Sequence, residues 1–360
     1  MTAEAADVPE AVHGTAHAMP DFQHPFIPRV HPRAAEANQD AARWVRGHGL
    51  IDDDAFTDFA NIAFGYLAAR VLPEAPYERV LTLARWMAWS FVLDDQHDHL
   101  IRTGELDAWT AVAAVVAGRQ EPSPDDNPLI RAFVEVKSQV LAGLPASVHP
   151  RYRHHLAQMM DAMDREAAHR TAPQPPSIAA YVLTRRHSSM LPAMMDITEG
   201  ALGVEVPPES HGLPAFQELR WSAIDIVSWT NDIVSYRKES SCGDVNNLVL
   251  LLVHQHGLSL PDAVGLVTQR IKDRVQDLLH ARERLPRALQ VLGLTASGLQ
   301  EAALTCADNL QDWVIGTDLW ERTDCTRYRE SRWINGHEGA YNRPDLLVTR
   351  TASSPPSSSA

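Results

Sequence analysis

The sequence predicts an all-α fold, one domain of helices packed about a shared core. Three observations point there. Apolar residues recur at helical spacing along most of the chain, whereas alternating strand patterns bounded by turns are almost absent. Prolines fall at helix-length intervals, where they remove backbone donors and end helices, and the breaks are too short to be domain linkers. Hydrophobic residues make up 45% of the 360, enough for a substantial core, and no internal repeat or long linker divides them.

In chain order, helices are expected over 53–71, 76–98, 105–118, 128–143, 148–169, 177–191, 213–238, 258–284 and 298–316. The first opens on Asp52, Asp53 and Asp54, acids that suit the positive end of a helix dipole. The second starts as a greasy helix and finishes in acids, RWMAWSFVLDDQHDHL over 85–100. Proline-bearing breaks follow: EPSPDDNP (121–128), GLPASVHP (143–150), TAPQPPS (171–177) and VEVPPES (204–210). The seventh helix carries WTNDIVSYRKE (229–239), and the last runs into NLQDWVIGTDLW (309–320). Residues 1–24 lack apolar periodicity and are expected to be a flexible segment. The folded domain spans 25–335, and 336–360 form a flexible tail ending TASSPPSSSA, a composition that cannot bury enough to order itself.

Lys plus Arg number 32 against 46 Asp plus Glu, a formal net charge of −14. That field repels phosphate polymers and argues against a nucleic-acid partner. A small phosphorylated substrate stays open, because local cations and metals outweigh a distant field. The three cysteines, Cys242, Cys306 and Cys325, form neither a disulfide framework nor a zinc spacing and read as inert thiols of a reducing compartment. The N-terminus has no signal-peptide pattern, and no run of about 18 apolar residues predicts a membrane span. A soluble cytoplasmic protein is expected.

Two clusters carry chemistry. Asp94 and Asp98 are four apart, so on a helix they share one face and can approach one hard cation, while Asp95 projects elsewhere. Adjacent carboxylates ending an apolar helix are electrostatically costly, a cost that a bound metal offsets. The competing reading is a solvated helix end. His97 and Asp98 also allow a helical metal phosphohydrolase, which needs further His and Asp ligands that no spacing singles out. Asn231, Ser235 and Glu239 stand at i, i+4 and i+8 along one helix face. Amide, hydroxyl and carboxylate oxygens suit magnesium, which keeps positions for substrate phosphate. Lys238 beside them supplies a point charge.

The pattern N-D-x-x-S-x-x-K-E with an upstream D-D-x-x-D, 137 residues before Asn231, resembles the bacterial class I terpene synthases. FANIAFGYLAARVLPEAPYERVLTLARWMAWSFVLDD (59–95) and GDVNNLVLLLVHQHG (243–257) are similar to the segments around that family's two motifs, and the likeness covers about 25–335. The resemblance implies a single-domain class I terpenoid synthase helical bundle with a central active-site cavity. It implies three Mg2+ ions, one set held by Asp94 and its neighbours, another by Asn231, Ser235 and Glu239. Asp98 is either a ligand or, as the fifth motif position often is in similar enzymes, not in direct contact with the metal. It also implies an isoprenyl diphosphate substrate, and similar enzymes are often homodimers.

Arg185 matches the family's diphosphate-sensing arginine, with Arg186 the neighbouring alternative, and Ser188 and Ser189 match the linker and effector positions. The effector is often glycine, so Ser189 is a departure. Arg327 and Tyr328 match the family's R-Y pair, and Trp320 precedes Arg327 by seven residues, one more than usual. Arg185, Lys238, Arg327 and Tyr328 would grip diphosphate.

For a carbocation, aromatic faces contribute about 0.5–2 kcal/mol each. Phe91, almost one turn from Asp94, is the pocket candidate. Phe64, Trp86, Trp89 and Trp229 read more readily as core. Farnesyl diphosphate and a sesquiterpene product are expected from family prevalence, with geranylgeranyl diphosphate as the alternative. Prenyl elongation needs a second acid-rich cluster, and protonation-initiated cyclisation needs D-x-D-D, which Asp52 to Asp54 do not supply. A non-catalytic helical binding protein is the reading from another class.

Overall fold

The computed structural model describes residues 19–104, 107–241, 243–328, 343, 346 and 347. Among them every regular element is helical. They are α1 (Ala34–Gly47), α2 (Phe56–Ala60), α3 (Phe64–Val71), α4 (Tyr77–Thr103), α5 (Asp107–Val116), α6 (Pro128–Gly143), α7 (His149–Thr171), α8 (Ile178–Ser188), α9 (Leu191–Ala201), α10 (Pro208–His211), α11 (Pro214–Ser241), α12 (Leu248–His256), α13 (Leu260–Val291) and α14 (Ser297–Leu319). A π-helical turn, Trp320–Asp324, extends α14.

Local chemistry starts several of these helices. Asn127 caps α6 by accepting from Ile130 N, with Pro128 at the first helical position, and Ser177 caps α8 through Ala180 N. Asn247 caps α12, and Ser259 caps α13 through Asp262 N. The long helices α4 and α11 are buried for most of their length. A helix buried on most of its faces belongs in the middle of a bundle. α4 packs on α1, α3 and α6, while α11 packs on α13, α14 and α12. α1 and α3 cross closely: a Cβ at Gly65 would lie 2.1 Å from Asn38 N, so only glycine fits.

Two expected helices are broken. The segment 53–71 divides at Ala63, whose φ is +68°, into α2 and α3. Carbonyls freed there find distant donors: Trp320 Nε1 serves Ile62 O at 2.9 Å, and Thr326 N and Oγ1 serve Asn61 O at 3.1 and 2.9 Å. Asp52 to Asp54 therefore precede α2 and do not form its first turn. The segment 177–191 divides at Met190, φ +66°, and α9 continues beyond it to Ala201. α1, α9, α10 and α12 had not been expected. At the N-terminal end Phe22 and Phe26 are buried in the core, so packing starts before residue 25. Residues 1–18, 336–342, 344, 345 and 348–360 of the expected flexible ends lie outside the described residues, as does Cys242.

Candidate active site

One cavity opens at the end of α4 and α11. Its walls come from α4, the α8–α9 break, α11, α14 and the segment after the π turn. Apolar side chains such as Leu67, Phe91, Met194, Val227 and Trp313 line it beside the charged Asp94, Arg185, Lys238, Glu239 and Arg327.

α4 delivers the first acid cluster. Oxygens of Asp94, Asp95 and Asp98 all lie within 4.8 Å of one another. Asp95 thus joins the cluster instead of projecting elsewhere. Arg327 draws it in, with Nη1 and Nη2 donating to its two oxygens at 2.8 and 2.6 Å. Asp98 is held by Arg170 at 2.7 Å, and Lys238 Nζ lies 3.6 Å from Asp95 and 4.0 Å from Asp98. Burial and then the charge of Asp98 push Asp94 up to about 6. Burial also opposes ionisation of Asp95 and Asp98. Arg327 and Lys238 outweigh it at Asp95, and Arg170 and Lys238 at Asp98, so both stay below the usual range.

α11 delivers the second set. Asn231 and Glu239 line the cavity, and Ser235 lies between them on the same face. Asn231 Oδ1 accepts from Arg185 Nη2 at 2.9 Å. Its Nδ2 donates to Glu321 Oε1 and to Tyr328 OH, both at 2.9 Å. Glu239 Oε2 accepts from Asn247 Nδ2 at 2.8 Å, and burial, with Asp244 and Asp232 nearby, pushes Glu239 up to about 7. Ser235, 1% exposed, has an Oγ with no hydrogen-bond partner among the described residues.

These groups fit a divalent metal. All are hard oxygen donors, Ser235 has unused capacity, and acids outnumber bases around the mouth: Asp94, Asp95, Asp98, Asp232, Glu239 and Asp244 face Arg170, Arg185, Lys238 and Arg327.

The helix break sorts two neighbouring arginines. Arg185 lines the cavity and pairs with Asp232 at 3.2 Å, whereas Arg186 forms a fork with Asp225 at 2.8 and 2.7 Å and does not line it. Ser188 Oγ donates to Glu166, a half-buried acid that desolvation pushes up to about 8. Ser189 Oγ donates to Arg186 O at 3.3 Å and accepts from Leu191 N at 3.5 Å, which ties it to the break itself.

Phe91 lines the cavity, 4.7 Å from the Phe64 ring and 6.1 Å from that of Trp320, with the Arg327 guanidinium 5.2 Å above it. Trp86 and Trp89 are core: their Nε1 atoms donate to Tyr152 OH and Leu129 O. Phe64 and Trp229 do not line the cavity, whereas Trp313 and Trp320 do. The π turn Trp320–Asp324 lies between Trp320 and Arg327, and both side chains line the cavity.

Sequence reasoning missed Asp95, Arg170, Glu166, Trp313 and Glu321 as site residues. Asp95 stood in the motif and was set aside on helical geometry. The others lie on elements far from either motif and carry no local signal.

An anionic head at the charged end and a hydrocarbon tail in the apolar chamber are what this geometry suits, with a divalent metal between acids and head. The family profile described as terpene synthase family 2, C-terminal metal binding, matches residues 85–277, which include both ligand sets. Pristinol synthase of Streptomyces pristinaespiralis is 30% identical over 92% of this chain and 91% of its own. The (+)-T-muurolol synthase of Roseiflexus castenholzii, whose name describes it as cyclizing (2E,6E)-farnesyl diphosphate, is 30% identical over 85% of this chain and 92% of its own. The crystal structure of germacradien-4-ol synthase from Streptomyces citricolor superposes with a TM-score of 0.73 at 25% identity, covering 84% of this chain and 97% of that one. The chain belongs to this metal-binding terpene synthase family. No helix among the described residues is long and apolar enough to cross a membrane.

Proposed function

We propose that the protein is a Mg2+-dependent sesquiterpene cyclase that ionises farnesyl diphosphate, cyclises the carbocation and releases diphosphate. The observation that carries this is the convergence of the α4 acids and the Asn231, Ser235 and Glu239 face on the charged end of one otherwise apolar cavity. The name of the muurolol synthase relative favours the C15 substrate. Asp94 with Asp98, and Asn231 with Ser235 and Glu239, would hold the metal, three ions by family likeness. When bound, these ions supply Lewis-acid stabilisation of the departing diphosphate.

The chain's own residues do the rest. Arg185, Lys238, Arg327 and Tyr328 present donors to the leaving diphosphate, preorganised by the ion pairs that hold them. Arg327 and Tyr328 follow the π turn and line the cavity, and their closure on a bound diphosphate would exclude water. Phe91 and Trp320 turn aromatic faces to the cation. Ser188 and Ser189 border the tail at the helix break. The enzyme would act in the cytoplasm as a homodimer.

Incubating purified protein with C10, C15 and C20 prenyl diphosphates, with and without Mg2+, followed by gas chromatography–mass spectrometry, tests this. A cyclic C15 product that requires Mg2+ is expected. A cyclic product from the C20 substrate alone would make the enzyme a diterpene cyclase, and no product from folded protein would overturn the reading.

A further inference from the structure

We propose that this cyclase seats one ordered water in its cavity wall, between α11 and α14, and that this water captures the final carbocation, so that the product is an alcohol. The proposal rests on the cyclase reading above.

α11 and α14 run side by side in the same direction. Phe216 and Arg220 share a small cavity with Cys306, Asn309 and Leu310, and further along both helices Asn231 bonds to Glu321. That register sets Ser228 level with Thr317. Ser228, Thr317 and Glu321 all line the main cavity, and they are 3%, 5% and 8% exposed. Ser228 Oγ, Thr317 Oγ1 and Glu321 Oε2 are buried with no hydrogen-bond partner among the described residues.

A buried polar atom without a partner carries its full desolvation cost, so one such atom calls for a reason and three on one wall call for a common one. Ser90 shows that a hydroxyl in this cavity can be satisfied by its own helix, since its Oγ donates to Met87 O at 2.8 Å. Ser228 and Thr317 are not satisfied in that way. A buried water needs two to four polar partners, and two hydroxyls with a carboxyl oxygen supply three. The remaining deep wall, with Leu67, Met194, Val227 and Trp313, offers a second water little. One water is thereby held beside the carbocation while bulk water is kept out at the mouth.

The step balances without an oxidant or reductant. Diphosphate leaves with the electrons of the broken C–O bond. After cyclisation, a lone pair of the water oxygen forms a new C–O bond to the cationic carbon. The surplus proton of the resulting oxonium passes to the released diphosphate at the Asn231 and Lys238 end.

The test is turnover of farnesyl diphosphate with Mg2+ in oxygen-18 water, with products resolved by mass spectrometry. Wild type should give chiefly a C15 alcohol carrying the heavy oxygen. Thr317→Val and Ser228→Ala should each lower the alcohol-to-hydrocarbon ratio about fivefold, the effect of one lost hydrogen bond. That ratio does not depend on how much of a variant folds. A wild-type product that is all hydrocarbon overturns water capture and leaves cyclisation standing. An unchanged ratio in both variants overturns the site. No product of any kind overturns the cyclase reading, and this proposal with it.

Discussion

Two regions of this molecule bury acids, and they treat them in opposite ways. At the junction of α7, α9 and α11, Asp196 is 0% exposed and fully met: Arg151 at 2.9 Å, His155 at 2.6 Å and Arg220 at 3.3 Å. Burial pushes its pKa up, but His155, Arg220 and Arg151 outweigh that and hold it well below the usual carboxylate range. Neighbouring Glu199 shares Arg151 and accepts from Val206 N at 3.1 Å. At the mouth of the cavity, Asp94 and Glu239 are pushed up, to about 6 and about 7, because burial and like charges exceed the cations on hand. The first cluster is electrostatically complete and ties three helices together. The second is short of positive charge, which is the condition for recruiting metal ions.

The largest expected effect breaks the second cluster. Asp94→Asn and Asn231→Leu should each lower kcat/KM by about 100-fold or more, with an unchanged far-ultraviolet circular dichroism spectrum. Normal turnover in either variant would remove the metal assignment.

Next comes the first cluster. Asp196→Ala strands two arginines and should cost about 3–5 kcal/mol in denaturant unfolding, with little effect on Mg2+ dependence. Because the folded pKa of Asp196 is depressed, its stabilisation is present above the unfolded value of about 4 and is lost as pH falls through the folded one. The stability gap between wild type and variant should therefore narrow only in strong acid.

The pH dependence at the mouth has the opposite sign. Asp94 has a raised folded pKa, so the metal-free protein loses stability as pH rises from about 4, the unfolded value, towards about 6. Metal binding needs the carboxylates ionised. The melting-temperature gain from Mg2+ plus inorganic pyrophosphate should thus be larger at pH 8 than at pH 5, and Asp94→Asn should flatten the difference. An equal gain at both values in wild type would contradict the charge shortage.

The smallest effect separates two adjacent residues. Arg186→Lys loses one fork to Asp225, which Arg274 also meets at 3.1 Å, and should cost about 1 kcal/mol. Arg185→Lys should leave stability alike and reduce turnover further than Arg186→Lys does. Reversed outcomes would exchange their roles.

Much of this was legible in the sequence. The 3.6-residue period, with prolines between the runs, set the helices. The spacings of Asp94 to Asp98 and of Asn231 to Ser235 to Glu239 set two ligand faces, because neighbours on a helix are decided by rotation per residue alone. The C-terminal arginine and tyrosine were legible from family likeness, and they lie at the mouth, Arg327 on Asp95 and Tyr328 on Asn231.

What only the tertiary structure decided are the pairings across elements and the breaks they stabilise. Ala63 and Met190 have side chains that favour continuing a helix, yet both adopt positive φ. At the Ala63 break the freed carbonyl of Ile62 is satisfied by Trp320 and that of Asn61 by Thr326, residues far away in sequence. The placing of Ser228 and Thr317 on one cavity, the fork from Arg327 to Asp95, and the choice of Trp313 over Trp86 as cavity wall arise in the same way. Helical geometry is local and repeats along the chain. Which faces meet depends on burying all of them at once, and that is a property of the whole packed bundle.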